Sequence, residues 1–335
     1  MDNIPYGLRE RTDLKADERK RVFLDPVRIV QYENVMDPEN LLLHREEQIT
    51  LEKENPAIIR EQGHIILDFG CEFHGSVKIL LWYIEGAAAA RLRVRLGESV
   101  SEACSDIGQK NATNDHINRD QIITANGLSG NEFGPGGFRF VRIDLLDAGV
   151  SISLKAIKGI AIYRDMPYHG SFSCSDERLN TIWNTGAYTA HLNMQEYLWD
   201  GIKRDRLVWI GDMHPETSTI LAVFGQNDCV PASMDLARDS AVLPGWMNGI
   251  TTYSIWWILL QYDWFMHTGD MEYLTEQKEY LLSLLTLLQK YIREDGCEVL
   301  EGRRFLDWPS NDDPQAQHIG LQALMIIAME RSAEL

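Results

Sequence analysis

The chain has 335 residues, 44% of them hydrophobic, and 50 acidic against 32 basic side chains give it a formal charge of −18. That length and apolar content suffice for two cores, and the acidic excess argues against a nucleic-acid partner, because phosphate recognition needs a basic face. No run of about 18 apolar residues is present to span a bilayer, and the opening MDNIPYGLRERTDLKADERKR lacks the apolar core of a signal peptide, so the chain reads as cytoplasmic with no membrane partner.

Residues 1–60 form a charged, partly strand segment, followed by a β-sandwich expected over 61–168. Its strands are HIILDFG, GSVKILLWYI, ARLRVRLGE, GFRFVRIDLL and VSISLKAIKGIAIYR, broken by Gly-rich turns such as SGNEFGPGG. In ARLRVRL the period of two puts Leu92, Val94 and Leu96 on one face and Arg91, Arg93 and Arg95 on the other. TNDHINRD invites a metal reading through Asp115, His116 and Asp120, but without a second His it reads better as strand and turn. The cysteines Cys71, Cys104, Cys174, Cys229 and Cys297 are too scattered for a zinc site or a disulfide framework, and no metal or other cofactor is expected.

Strand character ends near Tyr163, and helical periodicity takes over in the region 171–335. Ser175 is the expected N-cap of a first helix running through Leu179, Ile182, Trp183, Tyr188, Leu192 and Tyr197. Five more are expected near 213–228, 231–242, 251–268, 271–294 and 314–333, the last capped by Asp313 with Pro314 at its first position. Trp256, Trp257, Tyr262 and Trp264 cover nearly all faces of their helix and read mostly as core.

Between the first two helices lies WDGIKRDRLVWIGDMHPE (199–216), which packs four carboxylates among three cations with two indoles interleaved. Carboxylates exchange protons at a glycosidic bond, and indole faces stack on pyranose C–H faces. The alternative is a solvated loop whose charges pair with one another.

This segment resembles the signature of bacterial and fungal α-L-rhamnosidases of glycoside hydrolase family 78, in which an Asp is followed by an Arg-acid pair, a Trp and a Gly-Asp. Those positions here are Asp200, Arg204-Asp205, Trp209 and Gly211-Asp212. The resemblance extends through ILDFGCEFHGSVKI (66–79), RLRVRLGESVSEA (91–103), TNDHINRD (113–120), GFRFVRI (137–143) and FLDWPSNDDPQAQHIGLQAL (305–324), covering most of the chain beyond residue 60. It implies a multidomain β + α fold: an N-terminal antiparallel β-sandwich followed by about half of an (α/α)6 toroid. It also implies inverting hydrolysis of a terminal α-L-rhamnoside, by an acid and a base standing roughly 6.5–9.5 Å apart.

The resemblance also assigns roles. Many family members carry a Glu at or just after the acid that follows the Arg. This chain reads Arg204-Asp205-Arg206, so Asp205 takes the proton-donor position, with Glu216 as reserve acid or, after Pro215, a helix cap. Asp200 and Asp212 are expected to bind ring hydroxyls, Arg204 to add a polar contact and Trp209 to wall the ring. Asp307 and Trp308 join the substrate-binding set, with a core indole as the alternative for Trp308. The general base is expected on the later half of the toroid, so the chain is expected to be a fragment, inactive alone or completed by a partner, including a second copy in a homodimer. The expected ligand is a rhamnosyl glycoside or oligosaccharide. A lyase or phosphorylase on the same scaffold, or a non-catalytic carbohydrate-binding protein, remain the competing functions.

Overall fold

The computed structural model describes residues 17–110, 112 and 118–335. Asp115 and His116, of the metal reading above, lie outside the described residues, whereas Asp120 pairs with Arg93 at 2.6 Å. Seven strands come first: β1 (Arg19–Leu24), β2 (Arg28–Met36), β3 (Ala57–Glu85), β4 (Ala89–Gly97), β5 (Asp120–Asn126), β6 (Ser129–Leu145) and β7 (Ser151–Arg164). They form one antiparallel sheet in the order β1-β7-β3-β6-β4-β5, with β2 also on β3.

The sheet curls because β3 is 29 residues long and meets β7 twice, through Ala57–Ile59 and again through Gly75–Glu85. Gly75 makes the second meeting possible: a Cβ there would lie 1.8 Å from the Ile160 carbonyl oxygen. Inside the curl Leu92, Val94 and Leu96 join Phe73, Ile79, Phe138 and Val141 in one core. On the opposite face of β4, Arg93 and Arg95 are neutralised by Asp120 and Asp144.

A short α1 (Val100–Cys104) is the one α-helix within the β region among the described residues, beside a 3-10 helix at Pro38–Leu42. The others follow as α2 (Glu177–Asn193), α3 (Ile210–Val223), α4 (Cys229–Ser240), α5 (Thr251–Thr268), α6 (Met271–Gln289) and α7 (Pro314–Glu334). Asp313 caps α7 as its sequence requires, accepting from Gln315 and Ala316 amides. Two details differ from expectation. The cap of α2 is Asp176, not Ser175: its carboxylate accepts from the Arg178 amide at 2.9 Å. The connection from α6 to α7 is no short turn but residues 290–313, organised by buried Glu298, which holds Arg304 and His318 and accepts from the Leu300 amide.

Helix α5 is the centre of the second core, packed between α3 and α7 with Trp257 and Trp264 fully buried. The outer face of α7 leaves Ile319, Ile326 and Ile327 exposed.

The two regions are joined at the end of β7. Arg164, 8% exposed, donates from Nε to the Gln195 carbonyl at 2.9 Å, from Nη2 to the Glu196 carbonyl at 3.3 Å and from Nη1 to Glu18 at 2.8 Å. Its own carbonyl meets His191 Nε2 at 2.6 Å, and the side-chain Nε2 of fully buried Gln195 donates to the Leu192 and Ile162 carbonyls. Arg164→Ala strips the partner from the Gln195 carbonyl, which is already withdrawn from water. The expected loss is about 2–3 kcal/mol of unfolding free energy, read from the urea midpoint; a change below about 0.5 kcal/mol, the range of ordinary surface substitutions, would show that the seam does not hold the two regions.

Candidate active site

The seam delivers the chain directly into the charged segment. Leu198 donates its amide to Ser233 Oγ and Trp199 its amide to the Asn193 carbonyl, which anchors the strand leaving α2. Trp199 then sets its ring edge-on to His74 of β3, with centroids 5.3 Å apart, and so serves the junction rather than the cleft lining. Burial, with Arg206 and Arg19 adding positive charge, pushes the His74 imidazole down to about 4, leaving it neutral at physiological pH.

Asp200 closes the loop. Its amide donates to the Leu207 carbonyl and its Oδ1 accepts from the Leu207 amide, both at 3.0 Å. The enclosed turn carries Asp205 and Arg206 at φ of 49° and 57°, left-handed values that cost non-glycine residues about 1–3 kcal/mol each. Trp209 ends the loop as N-cap of α3, and its indole Nε1 donates to Asp205 Oδ2 at 3.2 Å. Asn248 braces that end, donating to the Val208 carbonyl and accepting from the Ile210 amide.

Helix α3 begins at Ile210, earlier than periodicity suggested, so Asp212 stands in its first turn, where the helix dipole favours a carboxylate. Glu216 lies well inside the same helix, which removes the capping alternative for it.

Asp200, Arg204, Asp205, Trp209, Asp212, Asp307 and Trp308 all line one cleft of about 630 Å³. Of the residues singled out in the sequence, Glu216 alone is absent from the lining: its Oε1 accepts from Asn193 Nδ2 at 2.8 Å, and its Oε2 is buried without a hydrogen-bond partner. Trp308 is 72% exposed, so it is not a core indole. Asp307 is held by the Ser310 amide and hydroxyl, which keep its carboxyl below the ordinary carboxylate range.

Tyr253, Trp256, Arg303 and Phe305 are among the lining residues that went unrecognised as site residues in the sequence. Trp256 is half-buried beside fully buried Trp257, and a helix apolar on every side gives no periodic signal to separate the two. Arg303 and Phe305 stand next to the LDWP stretch, and that adjacency is the signal by which they could have been found. Together Trp209, Tyr253, Phe305 and Trp308 form a chain of edge-to-face rings, with successive centroids 6.1, 6.5 and 5.1 Å apart. Gly211 admits this wall, since a Cβ on it would lie 2.2 Å from the Tyr253 ring.

Asp200, Asp205 and Asp212, three of the four carboxylates that line the cleft, repel one another. Burial raises Asp200 and Asp212 above the ordinary carboxylate range, and mutual charge, including that of Asp205, adds to it. Burial, then Asp212 and Asp200, pushes Glu216 up to about 8 despite the Asn193 hydrogen bond. Among the described residues no cluster of three or more His, Cys, Asp or Glu is placed to hold a metal ion. Nor is any described helix long and apolar enough to cross a membrane. The cleft therefore offers four carboxyls, two guanidinium groups and an aromatic wall, a set suited to a neutral polyhydroxylated ring.

Comparison with known proteins agrees with that chemistry. Residues 167–325 match the bacterial alpha-L-rhamnosidase six-hairpin glycosidase domain. A rhamnosidase from Klebsiella oxytoca with rhamnose bound superimposes at a TM-score of 0.72 and 20% identity, over 94% of this chain and 65% of that one. A GH78 family rhamnosidase of Bacillus sp. GL1 gives 0.67 and 20%, over 88% of this chain and 33% of that one. The α-L-rhamnosidase of Aspergillus terreus gives 0.59 and 18%, over 81% and 34%. The chain thus spans about two thirds of the first of these proteins and about a third of the other two. No curated protein sequence matches it. The helical region, residues 167–325, is thus similar to the bacterial α-L-rhamnosidase six-hairpin glycosidase domain.

Proposed function

We propose that the chain forms the sugar-binding and acid-donating part of an inverting α-L-rhamnosidase, its β region a sandwich and its helices the first half of an (α/α)6 toroid. The observation that carries this reading is the convergence of Asp200, Arg204, Asp205, Trp209 and Asp212 on one aromatic-walled cleft. Asp205 is the proton donor. It is the acid at the tip of the cleft-lining loop, where its Oδ2 accepts from the Trp209 indole N–H and its Oδ1 lies 4.0 Å from Arg204 Nε. Asp200 and Asp212 bind ring hydroxyls, Arg204 and Asp307 add polar contacts at the rim, and Trp209 and Trp308 wall the sugar.

Glu216 is better placed as a positioning residue than as the acid. It is sealed beneath Asp200 and Asp212, holds its proton near neutrality and ties α3 to α2 through Asn193. The water-activating base comes from outside these residues, and the exposed apolar stripe of α7 is the face on which following hairpins or a second copy would pack.

The first test is titration of the chain with L-rhamnose, followed by tryptophan fluorescence. Saturable binding is expected, weakened about tenfold or more by Asp212→Ala, which removes a charge-assisted hydrogen bond; absence of binding to the folded chain would refute the reading. In a preparation carrying the whole toroid, Asp205→Asn is expected to slow cleavage of alkyl rhamnosides about 10²–10⁴-fold while a dinitrophenyl rhamnoside, which needs little protonation, is affected far less. Equal losses on both substrates would make Asp205 a sugar ligand.

Glu216 supplies a pH test. Its carboxyl titrates at about 8 in the folded chain against 4.5 for an ordinary Glu, so the folded state holds the proton longer than the unfolded one. Its contribution to stability is complete below the ordinary value and is lost as pH rises toward the folded one. Between about pH 5 and 8 the melting temperature of Glu216→Gln should therefore decline less than that of the parent chain. Parallel declines would show that Glu216 is ionised in the fold.

A further inference from the structure

Three stretches that accompany the charged loop in the sequence, 66–79, 91–103 and 137–143, lie in the β region, and none of their residues lines the cleft. All three nevertheless meet the segment that carries Asp205. His74, from the first, takes the ring of Trp199 edge-on. Gly137, from the third, is paired with His74 across β3 and β6 and receives Ile202. A Cβ on Gly137 would lie 2.7 Å from Ile202 Cγ1 and 3.1 Å from the Ile202 carbonyl carbon, and Ile202 is buried there. The second stretch supplies charge: Lys203 Nζ stands 2.6 Å from Glu102 Oε1 and 3.1 Å from Glu98 Oε2.

The receptor for that ammonium is held from several sides. Ser99 Oγ accepts from the Glu102 amide at the start of α1, and Glu102 Oε2 accepts from the Glu98 amide at 2.8 Å, so Oε1 is the oxygen that meets Lys203. Behind it, fully buried Arg119 donates to the Glu102 and Ser105 carbonyls and brings its Nε to 3.9 Å from Glu102 Oε1. Ion pairs on an open surface fix little, because water screens them and long side chains wander. Here the Glu102 side chain is 4% exposed and that of Lys203 14%, so the pair is both strong and localised.

Asp200 and Leu207 close the loop on itself, which sets its shape but not the direction of its tip. Direction requires contact with a second body between the two closing residues, and Ile202 and Lys203 make that contact. We infer that the β region aims the Asp205 loop: Ile202 and Lys203 plug into Gly137, Glu98 and Glu102, and Lys203 and Glu102 are positioning residues for the acid two places beyond Lys203. The catalytic consequence rests on the reading of Asp205 as proton donor, since a displacement of about 1 Å at a reacting group costs roughly 10²-fold in rate.

Labelling the full chain with 5-fluorotryptophan tests this, because the Trp209 indole N–H sits on Asp205 Oδ2 and its fluorine resonance reports the position of the loop tip. Loss of the signal in Trp209→Phe assigns it, and buried Trp82 on β3 and Trp257 on α5, assigned in the same way, report folding of the two regions. Lys203→Met removes the ammonium, and Gly137→Ala pushes on Ile202 without altering any charge. In each variant the Trp209 resonance should shift while those of Trp82 and Trp257 hold, and L-rhamnose should bind about tenfold more weakly, the loss of one well-made hydrogen bond. Glu102→Gln should reproduce Lys203→Met, and the double substitution should add little, since both remove the same interaction. An unchanged Trp209 resonance and rhamnose affinity in the folded Lys203→Met and Gly137→Ala chains, even with a lowered urea midpoint, would make these contacts purely structural and overturn the inference. If rhamnose fails to bind even the parent chain while the Trp209 resonance still shifts in the variants, the reading of the cleft falls and the anchoring of the loop stands.

Discussion

The site depends on one guanidinium. Arg164 ends β7 and directs its donors to the carbonyls of Gln195 and Glu196, while its own carbonyl meets His191 near the end of α2. Arg164, His191 and Gln195 are buried, so the bonds among them are made where an unmade one costs most. The consequence travels along the chain: with Gln195 fixed, Leu198 and Trp199 are anchored within three or four residues, and the loop that follows starts from a rigid base. A turn holding two left-handed non-glycine residues persists only when its ends are over-determined. Here they are, by the seam and Asp200 before it and by Asn248 and the start of α3 after it.

That rigidity allows like charges to be crowded. Asp200, Asp212, Glu216 and Glu72 are all raised above ordinary carboxyl values, and burial is the first cause for each. They lie along the boundary between the curled sheet and the helices. Elsewhere the protein treats its acids in the opposite way: Asp68, clamped by Arg139 and Arg28, is held far below the usual range and serves the sheet. A carboxyl that holds a proton can donate as well as accept a hydrogen bond, whereas an ionised carboxylate only accepts.

The order of the two regions and the nature of most elements were legible because local rules suffice for them. Period-two alternation in ARLRVRL, the Asp-Pro start of α7 and the turn at Gly269 depend on residues within a few positions of one another. That the charged loop would bring its side chains together was legible too, since carboxylates, guanidinium groups and indoles in that spacing have a shared chemistry, and five of them line one cleft. Glu216 shows where such reasoning stops: its residue type and proximity fit a catalytic acid, but residue type does not say which side of α3 faces the cleft.

What the sequence by itself determined is therefore composition of motif, strand and helix, because these are set by short-range sterics, capping and hydrophobic period. What only the tertiary structure decided is convergence. Tyr253 and Trp256 on α5, and Arg303 and Phe305 in the long α6–α7 connection, reach Asp205 across separations of about fifty to a hundred residues, as read from their numbers in the chain. Glu72 and Glu98 arrive from the sheet to face α2 because β3 curls and Gly75 lets it pass close to β7. No local pattern encodes such meetings, since they follow from the packing of whole elements, where one absent Cβ or one buried guanidinium sets the distance between side chains remote in sequence.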